Sequence, residues 1–224
     1  MRLMQGFQNA AISTEVIYSF VIIAACLMIY FATKKLYELS SHKGIKYFRF
    51  SFLFFALAYF FRSFAKFNAI IFNDQFIFGI HPQILTFVSS FIFMYLSSIA
   101  IFYLLYSIIW KKFPQKIIPY TFYILAFIIS TISGFSRNFL THIYLNLFLL
   151  ALAFAIIYAA NKLTKNKKSH KMYPIYLLLS TFWILNIIDT FIPTFLQSFQ
   201  LIIYLSSLGI FLSILYKVLT KIGS

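Results

Sequence analysis

The sequence predicts an all-α, polytopic membrane protein built as a bundle of seven transmembrane helices. Of its 224 residues, 62% are hydrophobic and only 10% are charged, whereas soluble chains have roughly 45–50% and about 25%. The apolar residues, including 31 Phe and 16 Tyr, come in blocks of about twenty between short basic stretches, and such a block is long enough to cross a bilayer. A soluble fold is therefore close to excluded.

Seven blocks meet the length and composition required of a membrane span. Ser13 or Thr14 is a suitable N-cap for the first block, and Glu15 suits its first turn because carboxylates interact favourably with the positive end of a helix dipole. Pro82 suits the first turn of the third block. The spans are predicted at residues 15–33, 48–72, 82–110, 117–134, 142–161, 173–192 and 197–216.

The connections between the spans are too short for a soluble domain. The longest, residues 34–47, has about fourteen residues, so the whole chain, 1–224, is predicted to be one membrane domain. The segment before the first span has a single Arg and no signal-peptide pattern, so the first span is expected to remain attached as a helix.

The basic residues predict the orientation in the cell membrane. Fifteen of the 19 Lys and Arg fall in the first, third and fifth connections, in the C-terminal tail or, for Arg49, at the adjoining start of the second span. An excess of Lys and Arg marks the cytoplasmic side, so the N-terminus is predicted outside and the C-terminus in the cytoplasm. This topology explains the net charge of +15 without a nucleic-acid partner. Contact with anionic lipids explains the lysine-rich loops as well as topology does.

A weak internal similarity suggests a repeat. Residues 14–36 align without gaps on residues 141–163 with six identities in 23 positions. Two interpretations remain open. Either helices one to three and five to seven are parallel repeats joined by helix four, or the biased composition produces the matches by chance.

Two cations lie well inside the second apolar span, far from its basic end. Arg62 and Lys66 are four residues apart and so share one helix face, and a charge at the bilayer centre costs about 2.5–3.5 kcal/mol. Snorkelling to the outer interface explains Lys66. Arg62 would have to reach outward against the natural tilt of helical side chains, so a partner within the bundle is an equal alternative.

The sixth span offers such a partner. Asn186 and Asp189 are three residues apart on one face in the outer half, and under the repeat alignment Asp189 falls within one position of Arg62. We therefore predict an Arg62–Asp189 ion pair, or a shared polar cluster, near an outward-facing cavity. The alternative is that Asp189 belongs to the outer interface. Other polar candidates on that side are Glu15, Arg137 and His142.

Motifs for catalysis or metal binding are missing from the sequence. It has no Gly-x-Ser-x-Gly, Walker, His-Glu-x-x-His or Cys-x-x-Cys motif, so neither an enzymatic activity nor a metal or other cofactor is predicted. Cys26, in an apolar run, is interpreted as a small packing residue. Ser206, Gly209 and Ser213 share one face of the seventh span and are predicted to form a helix contact.

One family resemblance adds to this interpretation. The segment Lys46-Tyr47-Phe48-Arg49, followed by Phe54 to Phe60, resembles the second helix of the seven-transmembrane sensor regions found ahead of prokaryotic histidine kinases. The resemblance covers about thirty residues and the helix count, and it implies a sensor. No kinase or cyclase output follows within these residues, so such a sensor is expected to signal through a separate cytoplasmic or membrane partner.

Two functional hypotheses follow. The first is a non-catalytic, receptor-like membrane sensor with an outward-facing polar cavity. The second is a small-solute transporter whose repeat halves rock about a site near the midplane. The high ratio of Lys to Arg and the Phe- and Ile-rich composition favour a prokaryotic source.

Overall fold

The computed structural model describes the backbone of residues 2–71, 82–110, 118–136, 139–164, 173–191 and 197–222. In these residues the chain is all-α. The described part contains seven helices: α1 (Arg2–Ser40), α2 (Lys43–Ile71), α3 (Pro82–Ile109), α4 (Ile118–Phe135), α5 (Phe139–Thr164), α6 (Tyr173–Phe191) and α7 (Gln197–Ile222).

The predicted bounds of the first connection are wrong. Helix α1 extends from Arg2 through the lysines to Ser40, and α2 begins at Lys43, so residues 34–40 and 43–47 are helical. Lys and Glu are good helix formers, and Lys34 pairs with Glu38 at 3.7 Å, one turn later. Charged residues at this end prolong the helices, and the Ser13 or Thr14 cap predicted at the other end lies within α1.

A tight turn joins α1 to α2. Ser41 has a φ of 50°, the left-handed conformation that commonly ends a helix, and its N–H donates to the Tyr37 carbonyl at 2.8 Å. The His42 carbonyl accepts the N–H groups of Ile45 and Lys46 at 3.0 and 3.3 Å. Because only residues 41 and 42 lie outside the helices, α1 and α2 form an antiparallel hairpin.

Four helical segments in the described residues are long and apolar enough to cross a membrane. They are Val16–Ser40, Lys43–Ala65, Ile84–Ser107 and Ile118–Phe135. Large apolar side chains on these segments point outward, such as Phe20 (70% exposed) and Phe31 (62%). An exterior of this kind suits lipid rather than water. The complete set of seven spans and their orientation stay predictions.

The hairpin packs into a larger bundle. Helix α2 packs against α1 and α3, α3 also contacts α4 and α5, and α7 packs against α1 and α6. The core contains fully buried aromatic rings from three different helices, Phe52, Phe182 and Phe211. Cys26 is fully buried among them, which confirms its interpretation as a packing residue.

The predicted contact face of α7 is wrong. Ser206, Gly209 and Ser213 are exposed, and no atom lies within 4 Å of where a Cβ on Gly209 would be. The adjacent face, which includes Ser207 and Phe211, is buried instead. Helical spacing correctly grouped these three residues on one face of α7. The adjacent, more apolar face of the same helix is the one that packs against the bundle.

Candidate functional site

A cluster of aromatic rings joins five helix segments near the middle of the bundle. Tyr59 on α2 lies 6.0 Å from Tyr18 on α1 and 5.9 Å from Phe182 on α6, measured between ring centroids. It also lies 6.4 Å from Phe93 on α3. Tyr18 stacks on Tyr204 of α7 at 4.5 Å. We call these five residues the Tyr59 cluster; Tyr18, Tyr59 and Tyr204 are buried despite their hydroxyl groups.

Arg62 lies one turn beyond Tyr59 on α2. Its guanidinium carbon is 5.5 Å from the ring centroid of Tyr59 and 5.9 Å from that of Phe93. Both are cation–π distances, so the rings stabilise part of the charge inside the apolar span. The sequence drew attention to Arg62 as a cation inside an apolar span, but it did not predict these aromatic contacts.

Three buried polar atoms near the Tyr59 cluster lack a hydrogen-bond partner in the described part of the chain. They are the Ser19 Oγ, the Ser207 Oγ and the Trp183 Nε1. Ser19 follows Tyr18 directly, Trp183 follows Phe182, and Ser207 lies one turn past Tyr204. Most buried polar groups in proteins have a hydrogen-bond partner, and each exception calls for an explanation, of which a bound water or ion is one. The three atoms on α1, α6 and α7 are therefore candidate ligand contacts.

The predicted partners of Arg62 lie outside the described side chains. The backbones of Asn186 and Asp189 belong to α6, one and two turns after Phe182. Under the predicted alternation of helix direction, α2 and α6 are parallel, and Asn186 then lies at about the level of Arg62. The Arg62–Asp189 pair stays a prediction.

The remaining predicted site residues are also outside this description. Glu15, Lys66 and His142 have backbones in α1, α2 and α5, but their side chains are not among those described, and Arg137 lies outside the described residues altogether.

Tyr18 and Tyr59 pair across the antiparallel hairpin. Because Glu15 precedes Tyr18 by three residues and Arg62 follows Tyr59 by three, their backbones lie at one level.

Sequence reasoning missed a second tyrosine group, between α2, α3 and α4. The hydroxyls of Tyr103 and Tyr123 are 2.6 Å apart, and the ring of Tyr47 lies 5.5 Å from that of Tyr103 and 4.5 Å from that of Tyr106. Tyr103 and Tyr106 are three residues apart, and this spacing on α3 was the available signal. The hydrogen bond between these two hydroxyls links α3 to α4.

The burial of Arg49 was also not predicted. The sequence counted it with the basic residues at the cytoplasmic start of the second span, and in the structure it lies in the second turn of α2 and is only 9% exposed. Its Nε donates to the backbone carbonyl of Tyr30 at 3.2 Å. The rings of Tyr30 and Tyr37, two turns apart on α1, lie 4.8 and 5.6 Å from its guanidinium carbon.

Within the described residues, no group of three or more His, Cys, Asp or Glu side chains could hold a metal ion. The potential ligand contacts are instead hydroxyl, indole and guanidinium groups.

The fold and the site together define an all-helical protein with membrane-suited helices and a buried aromatic cluster, next to which buried polar atoms of Ser19, Trp183 and Ser207 lack a hydrogen-bond partner within the described residues. The chain is 32% identical over 218 residues to an uncharacterized protein of Archaeoglobus fulgidus, an alignment that covers 94% of this chain and 93% of the archaeal protein. The chain therefore belongs to the same family as that archaeal protein. No protein-family model matches the chain. No solved structure matches it either.

Proposed function

We propose that this chain is a non-catalytic, receptor-like membrane protein that binds a small polar ligand beside the Tyr59 cluster. The supporting observation is the set of unpartnered atoms on Ser19, Trp183 and Ser207. A buried polar group without a partner costs about 1–3 kcal/mol. Three such groups, each next to or one turn from a residue of the Tyr59 cluster, suit a binding site whose ligand supplies the missing hydrogen bonds.

The three unpartnered groups suggest the chemistry of the ligand. The Trp183 indole is a donor only and the two serine hydroxyls both donate and accept, while the Arg62 guanidinium adds positive charge one turn from Tyr59. A donor-rich site of this kind favours a ligand that bears acceptors, such as a small carboxylic acid. The aromatic rings of the Tyr59 cluster would contact its apolar part.

Binding would change how the helices sit relative to one another. A ligand that contacts α1, α6 and α7 together favours the arrangement in which their hydrogen bonds to it are shortest, which is a population shift. The α1–α2 hairpin would transmit this shift to its lysine-rich end. A separate cytoplasmic or membrane protein would receive the signal there.

A one-sided site suits a receptor better than the alternative, a small-solute transporter. Phe48, Phe52 and Phe55 of α2 are buried between the Tyr59 cluster and the lysine-rich end. A polar solute that crossed the bundle along α2 would have to pass these apolar rings. Accumulation of a labelled ligand in proteoliposomes would favour the transporter and contradict the receptor.

Tryptophan fluorescence tests the binding proposal directly. The chain has two Trp residues, 110 and 183, so the variant Trp110→Phe reports from Trp183 alone. We expect a saturable change in its emission with at least one member of a panel of small carboxylic acids and amino acids.

Two adjacent serines provide the matched control. Ser207→Ala removes a buried unpartnered hydroxyl and should weaken ligand affinity by about tenfold, the equivalent of one hydrogen bond to a charged group. Ser206→Ala changes the exposed neighbour and should leave affinity within about twofold. Equal effects of the two substitutions, or no response to the panel, would contradict the proposal.

A further inference from the structure

Arg49 is a buried cation at the lysine-rich end of the α1–α2 hairpin. Its side chain lies between the two helices, where the carbonyl of Tyr30 accepts from Nε and the rings of Tyr30 and Tyr37 face the guanidinium. Arginine has five N–H donors. In the described residues one of them, on Nε, makes a hydrogen bond, so the two terminal nitrogens have donors left for a ligand.

The described part of the chain supplies Arg49 with no carboxylate. The acid nearest in sequence, Glu38, is exposed and pairs with Lys34 instead. Glu15, also on α1, is fifteen residues before Tyr30, about 22 Å along the helix axis. Burying an unpaired charge is costly, and cation–π contacts offset only part of that cost. An anion from outside the protein would complete the site.

The surroundings favour a negative ligand. Lys46 lies three residues before Arg49 on α2 and Lys34 lies midway between Tyr30 and Tyr37 on α1, so each shares a helix face with the site, and both lysines are exposed. A guanidinium binds phosphate oxygens in pairs through two parallel N–H donors. Lys46 therefore adds positive charge beside the guanidinium, whereas the charge of Lys34 is shared with Glu38.

The depth of Arg49 suits a lipid phosphate. Arg49 is six residues past the first residue of α2, which is about 9 Å along the helix. The polar headgroup region on each side of a bilayer is about 5–8 Å thick. If α2 starts near the membrane surface, Arg49 lies close to the boundary between headgroups and acyl chains. Exposed apolar residues on α1, including Met28 and Phe31, flank this level and can contact acyl chains.

We infer that Arg49, Tyr30 and Tyr37 form a binding site for a phosphate group, and that its source is the headgroup of an anionic phospholipid. The terminal guanidinium nitrogens donate to two phosphate oxygens, while the tyrosine rings hold the guanidinium plane in place. The site is separate from the Tyr59 cluster and does not depend on the proposed receptor function.

Native mass spectrometry and thermal unfolding of the full chain test this inference. The probe is phosphatidylglycerol, added to detergent-purified protein, with phosphatidylcholine as the neutral reference. Arg49→Gln should weaken phosphatidylglycerol binding by at least about tenfold. Lys35→Gln, which removes the same charge from an exposed position of α1, should weaken it by less than about twofold. Arg49→Lys keeps the charge but lacks the paired donors, so its loss of phosphatidylglycerol affinity should lie between those of the other two variants.

The comparison of these variants can support or overturn the Arg49 phosphate site. Equal losses in Arg49→Gln and Lys35→Gln would mean diffuse attraction to the basic surface and would overturn the site. Should Arg49→Gln fail to fold, Arg49→Lys is compared with Lys35→Gln, and the absence of a difference overturns it in the same way. Displacement of the lipid by inorganic phosphate or glycerol phosphate would overturn the lipid as source, whereas retention of the lipid supports it.

Discussion

The rings of Tyr18 and Tyr204 stack almost parallel, with centroids 4.5 Å apart and planes inclined by 14°. This contact joins the first helix of the chain to the last. Tyr18 in turn meets Tyr59 edge-on, so a single ring connects α7 to the α1–α2 hairpin. The contact brings residues from both ends of the chain to the candidate site.

Replacing Tyr204 tests whether this stacking holds the bundle together. Tyr204→Ala should lower the free energy of unfolding by about 3–5 kcal/mol, because it removes a buried ring and leaves a cavity. Tyr216→Ala, on the same helix but 68% exposed, should change it by less than about 0.5 kcal/mol. Chemical or thermal unfolding in detergent measures both, and similar values for the two variants would show that the stacking adds little.

Ser207 provides a test in which a substitution stabilises the protein. Its buried hydroxyl has no partner, so Ser207→Ala should raise the free energy of unfolding of the ligand-free protein by about 1 kcal/mol. The exposed Ser206→Ala should have little effect. Unfolding of both variants is measured without added ligand. A destabilised Ser207→Ala would show that the hydroxyl already has a bound partner in the purified protein.

Two glycines differ in the space around them. A Cβ on Gly44 would lie 2.7 Å from the backbone oxygen of Ser107 and 2.8 Å from the Trp110 Nε1. Gly44→Ala should therefore separate α2 from α3 and lower the free energy of unfolding by about 1–3 kcal/mol. Gly209→Ala meets nothing within 4 Å and should raise it by about 0.5–1 kcal/mol through helix propensity. Relative to the unsubstituted protein, we expect the unfolding midpoint to fall in Gly44→Ala and to rise in Gly209→Ala.

The predicted pairing of Arg62 with Asp189 is tested by charge reversal. Arg62→Asp and Asp189→Arg should each reduce the yield of folded protein, and the double reversal should restore it, with a coupling energy of about 0.5–3 kcal/mol. Combining Arg62→Asp with Glu38→Arg, at the other end of the hairpin, should restore nothing. Size-exclusion chromatography and unfolding measure the effect. If the Asp189 combination also fails to rescue, the two residues are not partners.

Prediction from sequence succeeded where periodicity and composition were sufficient. The centres of all seven predicted spans fall within α1 to α7, because a run of about twenty apolar residues is a strong local signal. The ends of α1 and α2 were wrong because Lys34, Glu38 and Lys43 are compatible with both loop and helix. Only the turn at Ser41 and the packing of the hairpin decide between the two.

Long-range contacts decided the rest. The sequence by itself determined an all-helical chain with membrane-suited spans, and it drew attention to Arg62 because a charge in an apolar helix is conspicuous. Ser19, Trp183 and Ser207 resemble any other residues of apolar helices until α1, α6 and α7 pack and bury them. Likewise, Arg49 becomes a buried cation only once Tyr30 and Tyr37 face it across the hairpin. Helical periodicity groups residues into faces, but the choice of which face is buried depends on the apolar surfaces of helices that are distant in the sequence.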